Sequence, residues 1–549
     1  MKQCTSADIT VHFFSNAING VPDCVNGELL RGTLNKNWAA KGFVISDAGA
    51  VGHSSDVTAH PPGQNYTHGL QGAAVAALIN GTTISIESSA APAYQAHLLP
   101  ALAKGLVTLP ELRAAAKRAL LPRFRVGLYD PPKLVPWNSI PASVIESAAH
   151  HALARRAAAE SFVLLSNRDR TLPLRSVADG GPKTIAVVGL CNDAAKSIGR
   201  YSGHPKTSTT VWDGVSAAAA AGGATAVLGV GAGAKALAVA KGTDVAVVVL
   251  TGEQEGESHD RQKLGLPPNQ LAFLKALIAS KVPLVVIMIS GGAVDVSLAE
   301  QEAAALIAMG CGGMEAGAAL ADVLFGAVNP SGVLAATVYK ASWANASDFL
   351  SMAMRTPPGR SHRYLTDKAR AEYVLFPFGF GLSFSNWSAT LSGGVRPATI
   401  SVASLTAGAN VTITVSVRNH GGPAGSRVSY AMLSRQGAAP SEGWPRQWLP
   451  TRGFAKLHDI SEHESATAEL TITARDLSRW DESLHRFTVR AGQYEVKLRD
   501  GAAAAMLTVK TDDLSAPKRN VLHMVFYDFR PDLASTLAFV PVLLACSPH

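Results

Sequence analysis

A chain of 549 residues exceeds what one hydrophobic core supports, so roughly two to four domains are expected. Hydrophobic residues make up 47% and charged residues 16%, a globular composition that excludes a disordered chain. The formal charge is +8, but Lys and Arg are scattered and aromatics reach only 6%, which excludes the concentrated basic face that nucleic-acid binding needs.

Residues 1–135 alternate strand-like and helix-like patterns. Strands are expected over 9–14, 43–45 and 82–86, and helices over 25–38, 70–79, 94–102 and 109–121. Gly127 and Pro131-Pro132 then stop the pattern. Phe43-Val44-Ile45 is a continuous run of β-formers, as in a strand buried on both faces, and Ser46-Asp47 follows where that strand must end. In parallel α/β architectures this edge carries the chemistry, so Asp47 reads equally as a nucleophile or as the cap of the next helix. A closed (β/α)8 barrel needs eight strands and roughly 250 residues. This region is therefore expected to be a partial barrel with open strand edges.

Residues 150–345 carry all-apolar, β-branched runs at 184–190, 245–250 and 284–289 with helical patterns between them, which predicts parallel α/β layering and an α/β sandwich domain. Gly189 and Gly291-Gly292 follow strands, but neither GxGxxG nor a P-loop Lys-Ser/Thr is present, so no nucleotide cofactor is expected. Residues 346–394 read as a linker. Over 395–510 the period changes to two, as in the run from Asn410 (NVTITVSV), that from Ala468 (AELTIT) and that from Tyr494 (YEVKL), which closes on Asp500-Gly501. Such strands predict a β-sandwich. Residues 511–549 form a tail. The fold class is thus multidomain, α/β followed by all-β.

Cys4, Cys24, Cys191, Cys311 and Cys546 lie far apart without metal-ligand spacing, so no metal site is expected; Cys4 and Cys24 could bridge or stay as thiols. Sequons begin at Asn65, Asn80, Asn345, Asn386 and Asn410, a pattern that permits secretion. No secretory apolar region follows Met1, and the late apolar segment 533–546 contains Pro541 and is too short to span a bilayer, so no membrane anchor is expected.

The stretch from Ser15 to Val51, SNAINGVPDCVNGELLRGTLNKNWAAKGFVISDAGAV, resembles the segment of glycoside hydrolase family 3 in which a strand, an N-G-V-P turn, a helix and the nucleophile strand follow one another. ELRAAAKRALLPRFRVGLYDPP is similar to the closing helix of that family's barrel, and AAAESFVLLSNRDRTLPL to the entry of its second domain. GGMEAGAALADVLFGAVNPSGVL and FPFGFGLSF look like further family segments with structural roles, the first an Ala-rich helix that packs closely. TARDLSRWDE with AGQYEVKLRDG resembles the fibronectin-III-like domain that ends many members. The resemblance implies that the chain starts near the sixth strand of the barrel and lacks most of it. In the tail, KRNVLHMVFYDFRPDL is similar to the opening strand of sulfatases, with Tyr527-Asp528 where two aspartates are usual, and reads as a stub without a metal site.

What the resemblance implies chemically is retaining hydrolysis of a terminal non-reducing β-linked xylose or glucose, without a cofactor and with Asp47 as nucleophile. Such an enzyme needs a second carboxyl about 5–5.5 Å away to protonate the leaving oxygen. The acidic loop TGEQEGESHDRQKLGLP after the 245–250 strand offers Glu255 as the first choice for that acid/base, Glu257 as the second and Glu253 as the third. The bland alternative is a solvated loop in which Arg261 pairs one glutamate, and His259 reads as a surface residue. No G-x-S-x-G elbow follows a strand, which excludes that form of serine chemistry. Two departures stand out: Ser15 where the family usually has a tyrosine, and Thr83 where it has an aspartate. The family's hydroxyl-gripping Asp, Arg and Lys-His residues belong to earlier barrel strands, and their loss would cost orders of magnitude in rate. The partner expected is an oligosaccharide or an aryl or alkyl glycoside, with no nucleic acid and no membrane. The family and the sequons together point to an extracellular or secretory-pathway location. The competing expectation is a non-catalytic, glycan-binding remnant of the family.

Overall fold

The computed structural model describes residues 11–511 except 14–15, 57–62, 88–91, 200, 253–260, 349, 352, 438–448, 482, 485, 500 and 502–503. The chain divides into two compact units, one within residues 1–142 and the other over 143–517.

In the first unit Val11–Phe13 and Val44–Ser46 pair in parallel. A third segment joins by one parallel bridge, Ile45 to Ile84. Helices Glu28–Asn37, Gly69–Asn80, Tyr94–Ala103 and Leu109–Arg125 follow the expected order. The last starts with a capping box: Thr108 Oγ1 accepts from the Glu111 amide, and the Glu111 carboxylate accepts from the Thr108 amide. The strand expected over 82–86 is the one correction here. Thr83 Oγ1 accepts the Val44 N–H at 3.2 Å, while the Val44 carbonyl accepts both the Thr83 and Ile84 amides. A side chain thus takes the place of a ladder carbonyl, and regular pairing shrinks to a bridge.

The second unit opens on a six-stranded sheet in the order Val163–Asn167, Ala305–Ala308, Leu284–Ile289, Val245–Thr251, Thr184–Gly189 and Thr225–Val230. All neighbours are parallel except the first pair, which is antiparallel. Successive side chains feed two separate cores. Ile185, Val187, Val247, Val249, Val285 and Ile287 face one, while Ala186, Val188, Ala246, Val248, Val286 and Met288 face the other. That is why these strands read as unbroken apolar runs rather than alternating ones.

One core is closed by helices Val211–Ala221 and Ala316–Leu324, which cross at two glycines. A Cβ added to Gly214 would meet the Gly317 carbonyl, and one added to Gly317 would meet the Thr210 carbonyl. The Ala-rich stretch expected to pack closely does so through this backbone-to-backbone crossing.

Beyond it, two sheets form a sandwich. Asn386–Arg396, Val411–Gly421 and Ser465–Ile472 make one; Thr399–Ser401, Ala504–Lys510, Gly492–Leu498, Gly425–Arg435 and Leu449–Ile460 make the other. Val411, Ile413, Val415 and Val417 are all fully buried, with the intervening Thr412, Thr414 and Ser416 facing outward, as their period-two spacing requires. The sandwich joins the sheet domain at Asn329, whose side chain donates to Ser385 Oγ (2.8 Å) and the Pro423 carbonyl (3.2 Å) and accepts from the Phe384 amide (3.0 Å) and Ser383 Oγ (2.8 Å). The tail from residue 512, with its sulfatase-like stretch, lies outside the described residues.

Candidate active site

Asp47 follows directly on the strand Val44–Ser46, at its carboxyl end. The loop there is fixed by short-range bonds. Asp47 Oδ1 accepts the Ala48 amide at 2.7 Å, and the Asp47 carbonyl accepts the Ala50 amide at 3.1 Å and Ser46 Oγ at 2.9 Å. Ser46, fully buried, also accepts the Ile86 amide at 3.0 Å, and the Ile86 carbonyl takes the Gly49 amide at 2.8 Å. Gly49 has φ 75°, a left-handed conformation that glycine adopts freely, and helix Ala50–His53 begins right after it. The half-buried carboxylate is thus oriented by its own neighbour's amide at the edge of a strand that neighbours hold on both sides.

Two further acidic residues share this edge. After Val11–Phe13 the chain makes a hairpin whose Asn19-Gly20 loop has both residues at positive φ, 52° and 82°, as a two-residue turn between antiparallel strands requires. The turn Asp23–Val25 follows. Asp23 is only 9% exposed, and burial pushes its carboxyl above the usual aspartate range. The Cys24 thiol is pushed up to about 12 by burial, then by the charges of Asp23 and Asp47. A thiol so placed is an inert core group rather than a nucleophile. After the third segment, Glu87 accepts the Ala93 and Tyr94 amides and caps the following helix. Tyr94 Oη donates to the Thr82 carbonyl at 2.7 Å; burial first, then Cys24 and Glu87, push its phenol well above the usual range.

In the second unit the strand Val245–Thr251 leads to the acidic loop. Gln270, buried, clamps the strand's last residue: its Oε1 accepts the Thr251 amide at 2.8 Å, and its Nε2 donates to the Thr251 carbonyl at 3.1 Å and Oγ1 at 3.3 Å. On the far side of the loop, Arg261 Nη1 donates to the Ala293 carbonyl at 2.8 Å, and the Asp295 amide bonds the Leu264 carbonyl at 2.7 Å. Glu253, Glu255, Glu257 and His259 lie outside the described residues. Among the described residues, no group of three His, Cys, Asp or Glu side chains is arranged to hold a metal ion, and no helix is long and apolar enough to cross a membrane.

Sequence reasoning passed over Asp23 and Gln270. The signal for Asp23 was a charged residue between a turn proline and the apolar Cys24-Val25, a place where burial competes with charge. Gln270 gave no local sign, since its partner Thr251 lies 19 residues earlier.

Residues 162–384 match the Glycosyl hydrolase family 3 C-terminal domain, and residues 436–502 match the Fibronectin type III-like domain. Residues 162–384 are a glycosyl hydrolase family 3 domain. It is 31% identical to Beta-D-xylosidase 1 of Arabidopsis thaliana over 69% of this chain and 48% of that protein. It is 31% identical to the probable exo-1,4-beta-xylosidase xlnD of Neosartorya fischeri over 85% of this chain and 61% of that one. With the periplasmic beta-glucosidase of Salmonella typhimurium it shares 29% identity, covering 88% and 64% of the two chains. The chain with this family 3 domain therefore spans between about half and two thirds of the length of these relatives. Among solved structures, it resembles a GH3 exo-beta-xylosidase (XlnD) bound to a xylobiose aziridine activity-based probe, with a TM-score of 0.80 at 24% identity, covering 91% of this chain and 65% of that one. The beta-glucosidase of Listeria innocua in complex with isofagomine gives 0.75 at 22% identity, covering 90% and 68%. These likenesses establish the fold: the family's α/β domain, a fibronectin-III-like sandwich, and part of a barrel ahead of them.

Proposed function

We propose that this chain carries the catalytic apparatus for retaining, exo-acting hydrolysis of a terminal non-reducing β-D-xylosyl unit, or a β-D-glucosyl one, with Asp47 as nucleophile. The observation that carries this reading is the placement of Asp47: a half-buried carboxylate at the carboxyl end of a parallel strand, one oxygen held by the Ala48 amide. In the first step the Asp47 carboxylate attacks the anomeric carbon, the glycosidic bond breaks, and an acid protonates the departing oxygen. In the second, the same acid, now a base, takes a proton from water as the water displaces Asp47. Glu255 is the acid/base in this reading, with Glu257 as the second choice. Gln270 and Arg261 support it by holding the residues on either side of that loop. The substrate is an oligosaccharide or an aryl glycoside; xylose is favoured because several of the relatives are named xylosidases. The periplasmic beta-glucosidase among them fits an exported location.

The domains we assign are a partial barrel over 1–135, the α/β sandwich over 150–345, the β-sandwich over 395–510 and the tail over 511–549; the stretch 346–394, expected as a linker, is corrected, since Val374–Phe376 pairs with Val338–Tyr339 and Asn386–Arg396 is a strand of the β-sandwich. The test is hydrolysis of p-nitrophenyl β-xyloside and β-glucoside by the chain and by Asp47→Asn. Activity that Asp47→Asn abolishes supports the reading. Equal inertness of both proteins would sink it in favour of a glycan-binding remnant.

A further inference from the structure

Three acidic residues follow the three parallel segments of the first unit, and they are not equivalent. Glu87 is committed to the amides of Ala93 and Tyr94, and Asp47 accepts the Ala48 amide. Asp23 is the buried one, and its Oδ1 is closed to solvent without a hydrogen-bond partner among the described residues. Its turn packs against helices Ala50–His53 and Gly69–Asn80, the first of which begins three residues after Asp47. Thr82 Oγ1 fixes the turn from the third segment, donating to the Cys24 carbonyl at 2.7 Å. The titratable groups these elements present are few. Helix Gly69–Asn80 has none, helix Ala50–His53 has His53, and beside Asp23 stand Cys24 and, acting on the same thiol, Asp47.

A buried carboxylate oxygen without a donor lowers stability, and asparagine would fill the same volume without a charge. Such groups concentrate where chemistry needs them. We propose that Asp23 is a second carboxyl of the Asp47 site, a positioning residue that acts on Asp47 through the field of its buried head group rather than by touching the sugar. The inference rests on the reading of Asp47 as nucleophile. While Asp23 holds a proton it adds no charge to the field at Asp47; once Asp23 ionises, it places a negative charge nearby. Stability follows the same titration. The folded chain holds the Asp23 proton more tightly than the unfolded chain does, so wild-type stability falls as pH rises from the ordinary aspartate range through the raised value.

The test uses the full chain labelled with 13Cγ-aspartate, its Asp47→Asn and Asp23→Asn variants, and a xylobiose-configured aziridine as the probe of Asp47. In Asp47→Asn the Asp23 carbon is expected to titrate about one pH unit lower than in the wild type, the size at which two sites cease to titrate independently. An unchanged midpoint would overturn the proposal. Asp23→Asn is expected to melt no lower than the wild type at pH 7 and to alter the pH profile of the probe's labelling rate. A lower melting temperature with an unaltered profile would make Asp23 purely structural and overturn it too. If no protein is labelled yet the Asp23 midpoint still falls in Asp47→Asn, the glycosidase reading fails while the coupling stands.

Discussion

The glycine crossing in the α/β domain makes a prediction in which two opposed effects can be weighed. In Gly317→Ala the new methyl carbon would stand 1.8 Å from the Thr210 carbonyl oxygen and 2.4 Å from its carbon. Carbon and carbonyl oxygen do not come closer than about 3.3 Å without strain, so the helices must part by about 1.5 Å. Both obstacles are backbone, so no side chain can swing aside. The crossing also carries the Thr209 amide to Met314 carbonyl bond at 2.8 Å and buries Val211, Val215, Ala319, Leu320 and Val323. Against this, alanine is better than glycine inside a helix by about 1 kcal/mol. Overpacking of this kind costs about 3 kcal/mol. The net loss is then about 2 kcal/mol, or a fall of about 4–8 °C in Tm for a domain of this size. The control is Gly32→Ala in helix Glu28–Asn37, where the added carbon meets only Glu28 Cγ at 3.9 Å. It is expected to be neutral or stabilising. Differential scanning fluorimetry and urea unfolding followed by circular dichroism measure both. A Gly317→Ala protein that melts at or above the wild type would refute the reasoning.

Lys456→Ala removes a 2.6 Å ion pair with Glu160 that ties strand Leu449–Ile460 to helix Ala148–Ser161, and is expected to lower stability by about 1–2 kcal/mol at pH 7 in urea unfolding. Burial pushes the Glu160 carboxyl up, but the Lys456 hydrogen bond and charge, with Arg156 and His458, outweigh it and hold it below the usual range. The contribution is therefore present above the ordinary glutamate value and lost as pH falls through the depressed one, so the two proteins should converge in acid below it. Asn329→Ala leaves the Phe384 amide and the Ser383 hydroxyl without their Asn329 partner and should cost about 2 kcal/mol, read by the same unfolding curve. Iodoacetamide at pH 8 should alkylate exposed Cys311 and spare Cys24 and Cys191, whose buried thiols are pushed up to about 12 and about 11; peptide mass spectrometry reads the pattern.

The parts of the fold legible in the sequence are those where a strand's own residues determine its burial. Leu284–Ile289 and Val245–Thr251 lie in the middle of the sheet with both faces covered, and their apolar runs mark them to within a residue. Thr225–Val230 sits at the sheet's end, largely half-exposed, within an Ala/Gly-rich stretch, and has no such run. Val163–Asn167 pairs antiparallel with Ala305–Ala308, an orientation set by partners more than a hundred residues away. The segment around Thr83 looked like a strand because nothing local reveals that its hydroxyl replaces a ladder carbonyl. Asp47 was legible because an apolar strand and its end are both written within ten residues. Asp23 was not, since its burial depends on helices Ala50–His53 and Gly69–Asn80 arriving from later in the chain.

Treating the purified chain with a xylobiose-configured aziridine and mapping the adduct by peptide mass spectrometry is the most direct measurement. The account predicts one covalent adduct, on Asp47, that disappears in Asp47→Asn; an adduct on any other residue, or one that persists in that variant, would contradict it.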